Sequence, residues 1–254
     1  MNYVSWTRAC HVILSGGLIG ISGLLVACTP ANSLQAQDEA GQEGLEAEVV
    51  PELSEREKAE LAEFREDALT ASQEATMLAR YDYVDPDNEV PDSLLKKALT
   101  YYEANRSRIP NGGYLSIIDF AKASSRRRFF VIDMKTGAVL KFHVAHGSGS
   151  DRDHDGLAER FSNVSGSNAS SLGYYKTAET YQGKHGLSLR LDGLSSTNSN
   201  ARSRAIVIHG ANYVSDANVK QGRSWGCPAL SMDNRSRVIN MLKGGSIIYA
   251  GLSG

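Results

Sequence analysis

The sequence predicts a mainly β fold of the α+β class, a β-sandwich or half-open barrel with helices at its periphery. Short runs of β-branched and aromatic residues recur from about residue 114 onward. The 24 glycines suit a fold with many turns, and helical periodicity is confined to residues before about 110 and one late segment. We predict strands at 115–120, 128–134, 138–146, 172–178, 187–191, 204–209 and 246–250.

Three helices are predicted around this sheet. Ser54 and Glu57 match a capping box, which predicts a helix from there to about residue 80. A second helix is predicted from about 91 to 106, and a late one over 233–242 that glycines end. We therefore divide the folded part into a helical extension, 55–110, and a main domain, 111–254.

Residues 1–28 have the features of an export signal. Arg8 is followed by an uncharged run, 12–27, which is short for a membrane span and long enough for a signal-peptide core. The run ends in Leu25-Val26-Ala27-Cys28, which resembles a bacterial lipobox. That resemblance implies cleavage before Cys28, acylation of this residue, and a lipid anchor. Thr29 after it resembles the outer-membrane sorting pattern, so we expect a periplasm-facing lipoprotein of the outer membrane. The alternatives are an uncleaved anchor or an ordinary secretory cleavage nearby.

Composition limits the remaining possibilities. Residues 29–54 contain six acidic residues and no Lys or Arg, which predicts a disordered acidic linker. The formal net charge of −2 excludes a strongly basic nucleic-acid-binding protein.

Cys227 is the one cysteine of the predicted folded part, because Cys10 and Cys28 fall in the export segment. An odd cysteine in an exported protein is either a reactive thiol or an intermolecular crosslink. A free thiol has a pKa of about 8.5 and attacks as the thiolate, so a nearby base must take its proton. His209 follows an apolar run, 206–208, and precedes Cys227 by 18 residues. The two residues have the chemistry of a nucleophile and its general base.

Glycines adjoin both residues. The carbonyl of Gly210 would accept a hydrogen bond from His209 Nδ1–H, the orienting role that an acid has in other triads. Gly226 allows a tight turn before Cys227. In such a turn the amides of Trp225, Gly226 and Cys227 would point at a developing oxyanion.

These residues resemble a known family. His209-Gly210 followed by Ser224-Trp225-Gly226-Cys227 is similar to the L,D-transpeptidase catalytic domain of bacterial cell-wall enzymes. The resemblance covers about residues 81–250 and is strongest to the murein L,D-transpeptidase branch. Other segments that carry it are 144–147, 162–163, 170–175, 188–194, 206–211 and 222–230.

The resemblance implies an enzyme that acts on peptidoglycan stem peptides, and we predict no cofactor. Cys227 would attack the carbonyl of the third residue of a stem tetrapeptide, and His209 would protonate the departing D-Ala. Transfer of the thioester to an amine on a neighbouring stem would give a 3→3 crosslink. Ser224 would help shape the turn, and the Gly210 carbonyl would orient His209.

One departure from the family leaves the acceptor open. Pro228-Ala229 stands where members usually carry a branched residue and then Arg or Asn. With water as acceptor the enzyme would be an L,D-carboxypeptidase, and with an existing crosslink as donor it would be an endopeptidase. A catalytically inactive peptidoglycan-binding lipoprotein of the same fold is the alternative from another class.

The sequence gives little support for a metal site. Asp151, Asp153 and Asp155 with Gly156 resemble the first half of a calcium loop, but position twelve is Ser162; a solvated acidic loop is the simpler interpretation. A zinc hydrolase would need several of the histidines, yet no paired zinc motif is present, so we predict no metal.

A substrate groove is predicted beside the nucleophile. Its candidate lining residues are Tyr174, Tyr175, Arg190 and Trp225, of which Tyr175 and Arg190 are the predicted substrate-binding pair.

Overall fold

A computed structural model describes residues 50–254 of the chain. Within that range eight strands form one sheet, with four α-helices and two 3₁₀ turns beside it. The strands are β1 (Tyr114–Asp119), β2 (Phe129–Asp133), β3 (Val139–Phe142), β4 (Gly173–Gly183), β5 (Gly186–Gly193), β6 (Val207–Gly210), β7 (Ala229–Leu230) and β8 (Ile247–Gly251). The helices are α1 (Glu55–Ala62), α2 (Ala71–Leu78), α3 (Asp92–Ala104) and α4 (Met232–Leu242), and the 3₁₀ turns are Ala79–Tyr81 and Arg106–Arg108.

The sheet is mixed and curls until its edges meet. Its order is β3-β2-β1-β8-β4-β5-β6-β7, with β1–β8 and β6–β7 parallel and the other pairs antiparallel. After β3, Ala145 N–H donates to Ala229 O at 2.9 Å, and Ser224 N–H donates to His146 O at 2.9 Å. These bonds join the segment after β3 to the β7 edge, so the sheet forms a nearly closed barrel. The predicted mainly β class with peripheral helices is confirmed, and of the two predicted architectures the barrel is the one observed.

Where the sheet is most apolar, one face is buried in the barrel core and the other is covered by the N-terminal helices. In β2, Phe129 and Val131 point into the barrel core, while Phe130 and Ile132 pack under the N-terminal helices. This explains why Phe129–Ile132 is a continuous apolar run rather than an alternating one. Leu94 of α3 is fully buried in the outer cluster, so the helical extension packs directly on the sheet.

The predicted helix from residue 55 to 80 is wrong in its middle. The Ser54–Glu57 capping box forms as predicted, but α1 ends at Ala62 and α2 begins after a second capping box at Thr70. Asn105 explains the break: its Oδ1 accepts from Arg65 N–H at 3.0 Å, and its Nδ2 donates to Arg65 O at 2.8 Å. These bonds take the Arg65 backbone out of a helical ladder.

Most strand predictions are confirmed within a few residues, with two differences that matter for the site. The predicted strand 138–146 stops at Phe142 because the chain then leaves β2 and bonds to 224–229. Strand β4 runs to Gly183 and joins β5 in a long hairpin whose tip is Lys184-His185. The short strand β7 was not predicted.

The predicted signal, 1–28, and most of the predicted linker, 29–49, lie outside the described residues. Across residues 50–254, no helix has the length and hydrophobicity needed to cross a bilayer.

Candidate active site

Strand pairing brings the predicted nucleophile and base onto neighbouring segments. His209 and Gly210 end β6, and the parallel partner of His209 in β7 is Ala229. Cys227 lies two residues before Ala229, in the turn that enters β7. Because paired strands run about 4.8 Å apart, Cys227 lies within two residues of the position directly opposite His209 on the adjacent segment. The β6–β7 pair thus brings together two residues that are well separated in sequence.

The imidazole of His209 is held as a neutral base. Its Nδ1 lies 3.0 Å from Gly210 O, and a carbonyl can only accept, so Nδ1 carries the proton and Nε2 keeps its lone pair. Burial lowers the pKa of His209 to about 4; the Gly210 carbonyl opposes this shift, while His185 and Lys184 add to it. The predicted orienting contact from Gly210 is therefore present in the structure.

Gly210 leaves room for helix α4. A Cβ at this position would lie 2.8 Å from Arg235 Cδ and 2.8 Å from Met232 Sδ. A larger residue would require the Arg235 and Met232 side chains to move. The glycine therefore allows close packing of α4 side chains on the end of β6.

The thiol of Cys227 is half-buried and packs against the edge of the barrel core. Its Sγ lies 3.6 Å from Ala205 O, which accepts a weak S–H hydrogen bond. Ala205 has a φ of 54°, a left-handed conformation that is unfavourable for alanine. The strained peptide turns its carbonyl toward the sulfur, and the sulfur is not sealed inside the protein.

The turn that carries Cys227 is tied by Ser224. Its Oγ donates to Cys227 O at 2.7 Å and accepts from Gly226 N–H at 3.1 Å. The Gly226 amide is therefore occupied by the turn itself, which corrects the prediction that it faces an oxyanion. The amides of Trp225 and Cys227 stay as the candidate donors.

A second serine, Ser170, links the same turn to the loop after β3 through hydrogen bonds. Ser170 Oγ accepts from Gly147 N–H at 3.0 Å and donates to Gly226 O at 3.2 Å. Gly147 also forms a parallel bridge with Ser224. The turn is thus fixed from both sides, as a preorganised nucleophile requires.

Substitution of Gly226 tests whether Cys227 acylation depends on the conformation of this turn. Its φ is +119°, and a Cβ there would lie 2.7 Å from Ala169 O. We expect Gly226→Ala to lower the free energy of unfolding by about 2 kcal/mol, through strain and overlap, and to slow Cys227 acylation at least tenfold. Gly166→Ala is the matched control, because Gly166 also has a positive φ (+72°) but nothing within 4 Å of its Cβ position. Equal effects of both variants on acylation would contradict the assignment.

A buried charged network lies behind the nucleophile turn. Arg128, His146 and Asp151 are each fully buried. Burial lowers the pKa of Arg128 to about 9, so the guanidinium is still charged at neutral pH. Its Nη2 can only donate to His146 Nδ1, at 2.8 Å, which leaves His146 Nε2–H to donate to Asp151 Oδ2 at 3.0 Å. The geometry fixes His146 as the neutral Nε2–H tautomer.

Protonation of His146 should destabilise the fold. Burial, followed by Arg128, lowers its pKa to about 4, below the reference value of 6.5. The unfolded chain therefore binds a proton between these values that the folded chain does not, and stability is lost as the pH falls from 6.5 toward 4. We expect this residue to contribute roughly 2–3 kcal/mol to that loss. Urea titrations at pH 7 and 4.5 should show a smaller difference for His146→Gln; an equal difference would contradict the neutral tautomer.

The predicted groove residues have different surroundings. Trp225 is 47% exposed beside the nucleophile. Tyr175 is buried and donates to Ser171 O at 2.8 Å. Arg190 is buried as well, with its guanidinium 4.0 Å from the Tyr181 ring and 3.2 Å from a Glu179 oxygen. Tyr175 and Arg190 are thus buried and contact other protein groups. Their predicted role in substrate binding stays a prediction.

The acidic loop gathers three carboxylates. Oxygens of Asp151, Asp153 and Asp155 lie within 4.8 Å of one another, the one such group of ligand-type side chains found within residues 50–254. Asp151 already accepts from His146 and from the amides of Asp155 and Gly156. These donors hold the Asp151 carboxylate in place. Asp153 and Asp155 are exposed, as the predicted solvated loop requires, whereas Asp151 is buried.

Two residues that the sequence analysis did not assign to the site lie over it. The rings of His185 and His209 are 4.4 Å apart at 30°, and Lys184 Nζ lies 5.7 Å from the centre of the Trp225 ring. Both residues occupy the β4–β5 turn between Gly183 and Gly186. In the sequence, Gly183 and Gly186 flank these two residues, a pattern that indicates a tight β-hairpin turn.

Comparisons with known proteins agree with this geometry. The family model of the L,D-transpeptidase catalytic domain matches residues 86–250. That range is more than half of the chain and includes His209, Cys227 and helix α3. A comparison with curated protein sequences gives no match.

Solved structures that match are distant. The L,D-transpeptidase from Xylanimonas cellulosilytica is 13% identical, with a TM-score of 0.34 over 55% of this chain and 60% of that one. The helical cell shape determining protein Pgp2 from Campylobacter jejuni is 11% identical, with a TM-score of 0.33 over 56% and 45%. Bd1075 from Bdellovibrio bacteriovorus is 14% identical, with a TM-score of 0.33 over 54% and 47%.

The match therefore spans only about half to three-fifths of the length of these solved chains. The family match is the finding that identifies the domain, because it covers most of the described residues and both members of the Cys–His pair. The chain belongs to the family of the L,D-transpeptidase catalytic domain.

Proposed function

We propose that this protein is a peptidoglycan L,D-transpeptidase, with Cys227 as nucleophile and His209 as general base and acid. The observation that supports the proposal is the β6–β7 pairing within the matched domain: His209, oriented by Gly210 O, is paired with Ala229, two residues after the half-buried Cys227. Acyl transfer by a thiol and an imidazole needs no cofactor.

Acylation follows from this arrangement. His209 Nε2 takes the Cys227 proton as Sγ attacks the carbonyl of the third residue of a stem tetrapeptide. The S–C bond forms, and the tetrahedral oxyanion is stabilised by the amides of Trp225 and Cys227. The C–N bond to the terminal residue then breaks, and His209 returns the proton to the departing amine. The products are a thioester on Cys227 and free D-Ala.

Deacylation repeats these steps in reverse. An amine on a neighbouring stem peptide attacks the thioester, loses a proton to His209, and releases the Cys227 thiol as the new amide forms. Water in place of the amine gives a free tripeptide carboxylate. The first outcome is a 3→3 crosslink and the second is trimming, and both use the same acyl-enzyme.

A catalytically inactive peptidoglycan-binding protein of this fold is the competing proposal. An inactive member has no need for a neutral histidine oriented by a carbonyl or for a strained turn that holds a thiol at the surface. His209 and Gly226 keep both features here, which favours the enzyme.

Muropeptide analysis tests the proposal. Purified protein incubated with tetrapeptide-rich sacculi is expected to produce 3→3 crosslinked dimers, tripeptides, or both, with release of D-Ala. An unchanged muropeptide profile, combined with retention of the protein on sacculi in a pull-down, would support the binding protein instead.

We further propose that Cys28 carries a lipid anchor that holds the protein in the envelope, facing the periplasm at the outer membrane. The lipobox-like Leu25–Cys28 segment supports this. Globomycin, which blocks lipoprotein signal cleavage, should cause unprocessed precursor to accumulate. The Cys28→Ser variant should also accumulate unprocessed precursor without the drug. Normal signal cleavage in either case would contradict the lipid anchor.

A further inference from the structure

The tip of the β4–β5 hairpin forms one wall of the site. Lys184 and His185 are the two residues between the paired Gly183 and Gly186, so they lie at the far end of the long strand β4. His185 contacts the ring of the proposed base, and Lys184 lies over Trp225, two residues from the nucleophile. A hairpin that precedes β6 in the chain thus contacts the proposed base and the Trp225 ring of the turn that carries Cys227.

Helix α4 supports the tip in this position. Arg235 Nη1 donates to His185 O at 3.2 Å. Gly186 has a φ of +72°, and a Cβ there would lie 2.8 Å from the same Arg235 nitrogen. The stem of Arg235 packs on Gly210. One arginine therefore links the hairpin tip to the strand end that carries the base.

The ionisable side chains of this wall are basic. The tip, 183–186, contains a lysine and a histidine and no acidic residue, and the arginine that supports it is also a cation. The charged neighbours that act on the His209 imidazole, Lys184 and His185, are both basic. Lys184 is exposed and sits on a flexible four-carbon stem, so its ammonium can reach a bound anion.

The donor peptide would present an anion at this place. In the proposed reaction His209 protonates the amine of the departing residue, so that amine lies within about 3 Å of Nε2. The free carboxylate of the same residue is two bonds further on, roughly 3 Å from its amine. The terminal carboxylate must then lie within about 6 Å of the His209 ring, on which the ring of His185 at the hairpin tip also packs.

We propose that Lys184 and His185 form a binding site for the C-terminal carboxylate of the donor peptide, which selects peptides with a free C-terminus. This inference rests on the proposed transpeptidase function and adds a specificity determinant to it. Lys184 supplies the counter-charge, and His185 donates a hydrogen bond to the carboxylate while its ring packs on His209. Internal peptide bonds, which lack the carboxylate, would be poor substrates.

The test compares two donors that differ in one group. The full chain in detergent is given a stem tetrapeptide that ends in D-Ala, with either a free carboxylate or a C-terminal amide, and kcat/KM is measured from release of the terminal residue. Wild type is expected to prefer the carboxylate by at least tenfold. Lys184→Met and His185→Gln should each reduce this preference several-fold, mainly through KM for the carboxylate peptide. Lys135→Met, an exposed lysine in the β2–β3 turn, is the matched control and should retain the preference.

Binding gives a readout that does not depend on turnover. The Cys227→Ala variant should bind the carboxylate peptide about tenfold more tightly than the amide in calorimetry, and adding Lys184→Met should remove most of the difference. Turnover by wild type with equal kcat/KM for both donors would overturn the carboxylate site and leave the transpeptidase proposal intact. Release from neither donor, with no acylation of Cys227, would overturn the proposed function and this inference with it.

Discussion

Cys227→Ala is expected to abolish acylation by a carbapenem and release of D-Ala from tetrapeptides. Removal of the nucleophile leaves no group that can form the thioester, so the loss should exceed about 10³-fold and reach the detection limit. Intact mass spectrometry reports the result directly, because wild type should gain one carbapenem mass per chain.

This variant should stay folded. The thiol is half-buried and its S–H donates weakly to Ala205 O, so its loss should cost about 1 kcal/mol of stability. A thermal melt within a few degrees of wild type is therefore the control that separates loss of chemistry from loss of structure. An adduct that persists in Cys227→Ala would place the nucleophile elsewhere and contradict the site.

His209→Gln has the second largest expected effect, a loss of about 10² to 10⁴ in the rate of Cys227 acylation. The glutamine amide can still contact Gly210 O but cannot take a proton from the thiol. Stopped-flow fluorescence of Trp225, which lies beside the nucleophile, or timed mass spectra would measure the rate. His154→Gln, in the acidic loop, is the control and should react at the wild-type rate; a His209→Gln variant that does the same would remove the base from the mechanism.

The pH profile of wild type follows from the buried imidazole. With a pKa of about 4, His209 is neutral and able to accept a proton throughout the range from pH 5 to 8. At pH 5.5 most of the His209 population should therefore stay in the base form that acylation needs. A histidine at its reference pKa of 6.5 would be only about one-tenth in the base form at that pH. An acidic limb centred near pH 6.5 would show that the base is not the buried residue described above.

The sequence was most informative where chemistry and backbone constraints coincide. Cys227, His209 and Gly210 could be predicted because a lone thiol, a histidine after an apolar strand and a glycine each have few other uses at these places. Ser224 followed from the family resemblance. The mainly β class was predictable from strand-forming runs, since local patterning reports secondary structure well.

Long-range contacts explain what the sequence did not reveal. The helix break at Arg65 depends on Asn105, which is distant in sequence, and no local pattern encodes that pair. The Gly226 amide could not be assigned because Ser224 Oγ competes with an oxyanion for it. Lys184 and His185 reach the site because β5 pairs antiparallel with β6, with Leu189 opposite Ile208, so the β4–β5 tip lies beside the end of β6.

The buried network behind the turn was also invisible from sequence. Arg128 and His146 fall in two different predicted strands, and no local pattern links either of them to Asp151. Tertiary structure instead buries both with Asp151 and uses them to support the loop that bridges Ser224. A charged residue is buried in this way only when its partners are available, and those partners come from distant segments.

Trapping of the acyl-enzyme tests the central claim most directly. Wild type mixed with a stem tetrapeptide and quenched in acid should yield a Cys227 peptide heavier by the tripeptide acyl group, with one D-Ala released per thioester formed. A folded protein that releases no D-Ala and carries no acyl group on Cys227, or that carries one on another residue, would contradict the account.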